Sequence, residues 1–141
     1  MSAPTFDDFF QAEARMFLLA AIKVALAEDG PDLTSDGLFD ENDQAQAQIV
    51  AKAPAVVAGL PILPLVLEMA GGGCRVHLNV DDGDEVSEGA LLAAMEGPAR
   101  VLLKAERVAL NFLTHLSGIA TLTRAYVRAL DGTSTTLLDT R

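Results

Sequence analysis

Apolar residues recur at helical spacing near the start of the chain. Phe6, Phe9 and Phe10 fall at i, i+3 and i+4, and Leu18, Ile22, Ala25 and Leu26 continue the stripe. The spacing predicts a helix over 5–28, with Asp7, Asp8 and Glu13 placed early, where the helix dipole favours acids. Gly30 and Pro31 follow in the order in which helices end, and 32–37 reads as a turn. From Ala45 the pattern shortens. Residues 47–52 and 55–59 read as one strand, interrupted or bulged at Pro54 and therefore near a sheet edge. Pro61 opens a short helix to about Ala70, followed by glycines at 71, 72 and 73. Residues 75–80 alternate, with Val76, Leu78 and Val80 inward and His77 outward. Asp81-Asp82-Gly83-Asp84 predicts a hairpin-type turn, and strands are expected at 91–96 and 100–103, separated by Gly97-Pro98.

A second long helix is predicted from about 105 to 130. Ala109, Phe112, Leu113, Leu116 and Ala120 line one face, and Ile119, Leu122, Tyr126 and Leu130 a neighbouring one. So wide an apolar arc implies burial on more than one side. Gly118 inside it costs roughly 1 kcal/mol against alanine, which points to close backbone packing or a kink. Beyond Asp131-Gly132, residues 135–139 have strand composition. One terminal strand cannot bury both faces, so it needs neighbours from elsewhere, and the chain reads as truncated there. The expected class is α+β: one domain at 1–104, then a linking helix and the first strand of a further domain at 105–141.

At 141 residues, half of them hydrophobic and with a mean hydropathy of +0.30, the chain can bury a sizeable core and still present an apolar surface to a partner. The richest apolar run, 16–27, is short and contains Lys23, so neither a signal peptide nor a membrane anchor is expected. A net charge of −10 and only seven aromatic residues argue against nucleic acid as a ligand. The single cysteine, Cys74, excludes an internal disulfide and suits a reducing cytoplasm; with only His77 near it, it is expected to be structural.

Several stretches resemble quinolinate phosphoribosyltransferase (the carboxylating nicotinate-nucleotide pyrophosphorylase family), in its N-terminal portion. Ala25-Leu26-Ala27-Glu28-Asp29 and Asp32-Leu33-Thr34-Ser35 resemble an early family element, with a shortened loop between them and Pro31 where the family has glycine. Val57-Ala58-Gly59 and Asp82-Gly83-Asp84-Glu85-Val86 with Gly89 fit its sheet. The most specific segment is Glu106-Arg107-Val108-Ala109-Leu110-Asn111-Phe112 with Ser117-Gly118-Ile119-Ala120-Thr121. Leu138-Asp139-Thr140-Arg141 resembles the start of the family's first barrel strand.

The resemblance implies an open-faced α/β sandwich of the hammerhead type, followed in the family by an α/β barrel. It also implies a homodimer in which each sandwich covers the partner's barrel. The implied reaction joins quinolinate to phosphoribosyl pyrophosphate with Mg²⁺, giving nicotinate mononucleotide, pyrophosphate and CO₂ for NAD synthesis. Carried over by motif, Arg107 would contact quinolinate in the partner's barrel, and Thr140 and Arg141 would hold the same ligand. Arginine forks suit a pyridine bearing two carboxylates, because they bind each one bidentately. The remaining cations and the Mg²⁺-binding acids would lie outside this chain, which alone is expected to be inactive. Glu106 is expected to charge the helix start, Asn111 to be buried and hydrogen-bonded, and Ser117, Gly118 and Thr121 to pack the helix; His115 receives no role. Two other readings remain: the related protein of molybdate-transport operons, and a biotinyl or lipoyl module suggested by residues 76–103. That module needs a lysine at an exposed turn, where this chain has Met95-Glu96-Gly97-Pro98.

Overall fold

The computed structural model describes residues 5–28, 30, 37–40 and 42–138. Helix α1 (Phe6–Phe9) starts at Thr5 with a reciprocal cap. The Thr5 hydroxyl accepts from the Asp8 amide at 3.3 Å, and the Asp8 carboxylate accepts from the Thr5 amide at 3.0 Å. Two of the donors that a helix start leaves unpaired are thereby satisfied. The single helix expected over 5–28 is broken. The rings of Phe6, Phe9 and Phe10 cluster locally, with centroids 4.8 and 5.1 Å apart, and α2 (Ala12–Glu28) restarts at Ala12 with φ +43°. Leu18, Ile22 and Leu26 of α2 are buried, as their spacing predicts.

Five strands follow: β1 (Gln44–Val50), β2 (Ala55–Val56), β3 (Arg75–Leu78), β4 (Glu85–Val86) and β5 (Leu91–Pro98). They form an antiparallel sheet in the order β1-β5-β3 and a separate β2-β4 pair. The stretch expected to be one strand across Pro54 therefore serves two sheets. Proline offers no amide to a ladder, so the chain crosses from one sheet to the other at Lys52-Ala53-Pro54. Asp81–Asp84 is a tight turn, its amide–carbonyl bond 3.1 Å long, but the strands flanking it pair elsewhere rather than with each other.

Helices α3 (Ile62–Ala70) and α4 (Ala99–Ala129) cover one face of the sheet, with α2 packed against both. Ile22, Val57, Leu60, Ile62, Leu63 and Val66 form the fully buried centre. Alternation along β1 turns Ala45, Ala47 and Ile49 onto the helices and leaves Gln44, Gln46 and Gln48 exposed. Gln46, Glu96 and Arg75 share one row of the bare face, where Arg75 and Glu96 form an ion pair, and Gln48, Ala94 and His77 share the next. The sandwich is open-faced, as expected.

Further expectations need correction. Residues 100–103 are not a strand: α4 begins at Ala99, directly after β5, because Ala99, Leu102, Ala105, Val108 and Ala109 keep helical spacing and all are buried. Pro98 occupies the N-cap, so Glu106 lies well inside the helix and does not charge its start. Residues 135–138 form no strand here, since they pair with none; Asp139 lies outside the described residues. The stretch 95–98 sits in β5 and leads straight into α4, not at an exposed hairpin, which removes the biotinyl or lipoyl reading. No described helix is long and apolar enough to cross a membrane.

Candidate functional site

The candidate site is the outer face of α4. Leu102, Ala105, Val108, Ala109 and Leu113 face the core, and the residues on the opposite side are exposed. Arg107 lies there, exposed. Counting 3.6 residues per turn, Thr114 and Gly118 stand within about 20° of Arg107 around the axis and Asn111 within about 40°. All three are exposed as well. Asn111 is therefore not the buried residue expected: it follows Leu110 on the arc that turns away from the sheet, one turn beyond Arg107. Thr114 turns its hydroxyl back onto the Leu110 carbonyl at 2.7 Å, so its side chain is already partnered within the helix.

What holds α4 in place was only partly foreseen. Ser117 and Thr121 were expected to pack, and instead they complete the hydrogen bonding of β2. The Thr121 hydroxyl accepts from the Val56 amide at 2.9 Å, and that of Ser117 accepts from the Ala58 amide at 3.0 Å. The Ser117 hydroxyl in turn donates to the Ala58 carbonyl at 3.2 Å. These hydroxyls serve main-chain groups that a wider sheet would have paired. The signal was a Ser and a Thr at i and i+4 beside an apolar face, but only the position of β2 gives it meaning. Asp82 fixes the following turn, accepting from the Gly59 and Leu60 amides at 2.8 and 3.0 Å. Gly59 has φ +98°, and a Cβ there would lie 2.8 Å from Leu116 Cδ1, so the turn presses directly against α4. Further along, Glu85 bridges Arg124 and Arg128, each at 2.6 Å.

Thr140 and Arg141, the other two expected ligand residues, lie outside the described residues. Cys74 packs beside Gly97, and burial pushes its thiol pKa up, as suits a structural cysteine. Among the described residues no three His, Cys, Asp or Glu side chains come together as a metal site. The donor set among these residues does not fit Mg²⁺.

The sandwich is bare on one side, and an exposed arginine stands on the outward side of its longest described helix. Residues 32–117 match the family described as quinolinate phosphoribosyl transferase, N-terminal domain, and the chain belongs to that family. A probable nicotinate-nucleotide pyrophosphorylase (carboxylating) of Bacillus subtilis (strain 168) is 41% identical over 110 residues, covering 78% of this chain and 38% of that protein. The nicotinate-nucleotide pyrophosphorylase (carboxylating) of Mycobacterium leprae (strain TN) is 39% identical over 125 residues, or 85% of this chain and 44% of that one. Among solved structures, the nicotinate-nucleotide pyrophosphorylase of Francisella tularensis superposes with a TM-score of 0.82 at 27% identity, covering 89% of this chain and 46% of that one. NadC of Streptococcus pyogenes gives 0.77 at 39% identity, with coverages of 82% and 42%. The chain thus spans less than half the length of these relatives.

Proposed function

We propose that this chain is the lid-bearing part of an enzyme that converts quinolinate and phosphoribosyl pyrophosphate to nicotinate mononucleotide, pyrophosphate and CO₂, in the cytoplasm and as a homodimer. The observation that carries this reading is Arg107. It lies within the stretch that matches the family, residues 32–117, and is exposed on α4 instead of buried in its own core. Its fork would grip one carboxylate of quinolinate, while Thr140 and Arg141 would approach the same ligand from the start of the barrel. The domain boundary proposed at residue 104 then lies within α4, which belongs to the sandwich at one end and to the connection at the other.

Geometry supports bringing those arginines together from two copies. Arg107 and Leu130 are 23 residues apart on α4, about 34 Å at 1.5 Å per residue. The chain then turns, with the Thr133 amide bonded to the Leu130 carbonyl at 3.0 Å. Residues 134–141, fully extended, reach only about 27 Å. For Arg141 and Arg107 of one chain to share a ligand, that segment would have to run straight back along α4. Such a return would use the whole reach of the segment. A dimer that exchanges lids brings the two arginines together without this return.

With a net charge of −10, the chain does not neutralise two polyanionic substrates by itself. The other cations and the Mg²⁺ that would accompany phosphoribosyl pyrophosphate belong, in this reading, to the remaining part of the protein. The test is a chimera in which this chain replaces the matching N-terminal part of the Bacillus subtilis relative. Nicotinate mononucleotide formation is expected from the chimera and not from residues 1–141 alone. Arg107→Ala in the chimera should lower kcat/KM for quinolinate by about 100-fold, and Arg107→Lys should not restore it. Turnover by the isolated chain, or an Arg107→Ala chimera with unchanged kcat/KM, would overturn the assignment.

A further inference from the structure

The two outer strands of the three-stranded sheet end it in different ways. β3 is four residues long and carries the cation Arg75, a short, charged edge of the kind that resists further pairing. β1 is seven residues long, Gln-Ala-Gln-Ala-Gln-Ile-Val, with neither a charge nor a proline. Bonds at its two ends show which way its main chain faces. The Asp43 carbonyl accepts from the Ala99 amide at 2.8 Å, and the Ala51 amide donates to the Ala90 carbonyl at 2.9 Å. Ala45, Ala47 and Ile49, in step with these, turn their N–H and C=O towards β5. By alternation Gln44, Gln46 and Gln48 turn theirs to the outer edge, where no described strand pairs with them. A row of such main-chain groups is a template for another strand.

We propose that β1 docks against β1 of a second copy, the two strands running antiparallel about a two-fold axis at Gln46. In that register Gln44 of each copy lies opposite Gln48 of the other, so the outward N–H and C=O of all the glutamines are met. Charge sets the direction. Asp40 and Asp43 precede the strand, and Lys52 follows it. Antiparallel pairing carries each Lys52 towards the acids of the other copy, whereas parallel pairing sets acid beside acid. The axis stands upright on the sheet, so both copies keep their helices on the same side and the two sheets become one. This contact does not depend on the lid exchange proposed above, which uses α4 and not the β1 edge.

Solution mass and hydrogen exchange decide it. A net charge of −10 on each copy opposes association, so the measurement belongs at about 0.15 M salt, where the screening length is about 8 Å. In sedimentation equilibrium the mass of residues 1–141 should rise from 14.8 kDa towards twice that value. The rise is expected between about 10 μM and 1 mM, the range of a small, transient interface. Exchange at the Gln44, Gln46 and Gln48 amides should slow about threefold or more over the same range. Gln46→Pro removes an outward donor but no bond to β5, so it should hold the mass at 14.8 kDa. Gln46→Lys sets two ammonium groups face to face on the axis and should do the same if the proline variant does not fold. Lys52→Glu should weaken association about fivefold, while Arg107→Ala should leave it unchanged, which separates this edge from the lid. A mass of 14.8 kDa at every concentration overturns the proposal, as does association that survives the Gln46 variants. So do glutamine amides protected equally at all concentrations, because the chain itself would then cover the edge. Association indifferent to Lys52→Glu overturns the antiparallel direction.

Discussion

The two halves of α4 are held by different physics. From Ala99 to Leu113 the helix belongs to the core: six of its residues are buried, and its apolar stripe faces the sheet and α3. Beyond Thr114 no residue is fully buried, and Ile119, Leu122, Tyr126 and Val127 are each more than half exposed. The second half is tied to β2 by two hydroxyls and to Glu85 by two arginines. A continuous helix is thus a core element at one end and a presented surface at the other. The first half needs only this chain, while the second suits contact with something outside it.

The sharpest test of that contrast is a pair of leucines. Leu113 is 4% exposed and Leu122 is 58% exposed, nine residues apart on the same helix. Leu113→Ala should cost about 3 kcal/mol of unfolding free energy in residues 1–141, through lost transfer energy and the cavity left behind. Leu122→Ala should stay within about 0.5 kcal/mol. Both are read from urea unfolding with the m-value held constant. Equal losses would mean that the two halves do not differ as described.

Next in size is the hydroxyl tie. Ser117→Ala leaves the Ala58 amide without its partner, and Thr121→Val does the same to the Val56 amide. Each should cost about 1–2 kcal/mol, since the unmet donor is part-buried and the removed hydroxyl is small. Hydrogen exchange at Val56 and Ala58 should accelerate while that at β5 stays unchanged. If exchange rises everywhere equally, the hydroxyls stabilise the whole fold and not the second half alone.

Smaller again is the Glu85 bridge. Its partners are 41% and 65% exposed, so Glu85→Gln should cost under about 1 kcal/mol despite two short contacts. The loss should shrink further in about 1 M salt, where the screening length falls to about 3 Å. A large or salt-independent loss would mean that Glu85 acts through packing and not charge.

The same contrast explains what could be read before the structure. Apolar burial leaves a periodic trace: the Leu18–Ile22–Leu26 stripe and the alternation of Val76, His77 and Leu78 are placed as their spacing predicts. Arg107 was singled out through its motif, and the structure shows it exposed on α4. Polar ties leave no such trace. Ser117 and Thr121 gain their purpose only once β2 lies beside them, and the exposure of Asn111 follows from its place on the side of the helix opposite the buried Leu102, Ala105, Ala109 and Leu113. Residues 100–103 misled because Val101-Leu102-Leu103 is apolar without interruption. Such a short run suits a buried strand or a helix equally, and only the longer spacing from Ala99 to Ala109 decides between them.

The smallest effect concerns a third region, where burial is only partial. No residue of α1 is buried, so its start depends on the Thr5–Asp8 box. Hydrogen bonds from Thr5 hold the Asp8 carboxyl below its ordinary value of 3.8. A depressed folded pKa contributes stability that is fully present above the unfolded value and is lost as pH falls through the folded one. Acidification below about pH 4 should therefore fray α1 first, seen as faster exchange at the Phe9 and Phe10 amides, which donate to Thr5 and Phe6. The core-facing half of α4, held by apolar contact, should not respond over the same range. Asp8→Asn keeps a side-chain acceptor but removes the titration, so its exchange should lose the pH dependence. If the wild-type and Asp8→Asn chains fray in parallel as pH falls, the cap is not what holds α1, and the contrast between polar ties and apolar burial does not extend to this end of the molecule.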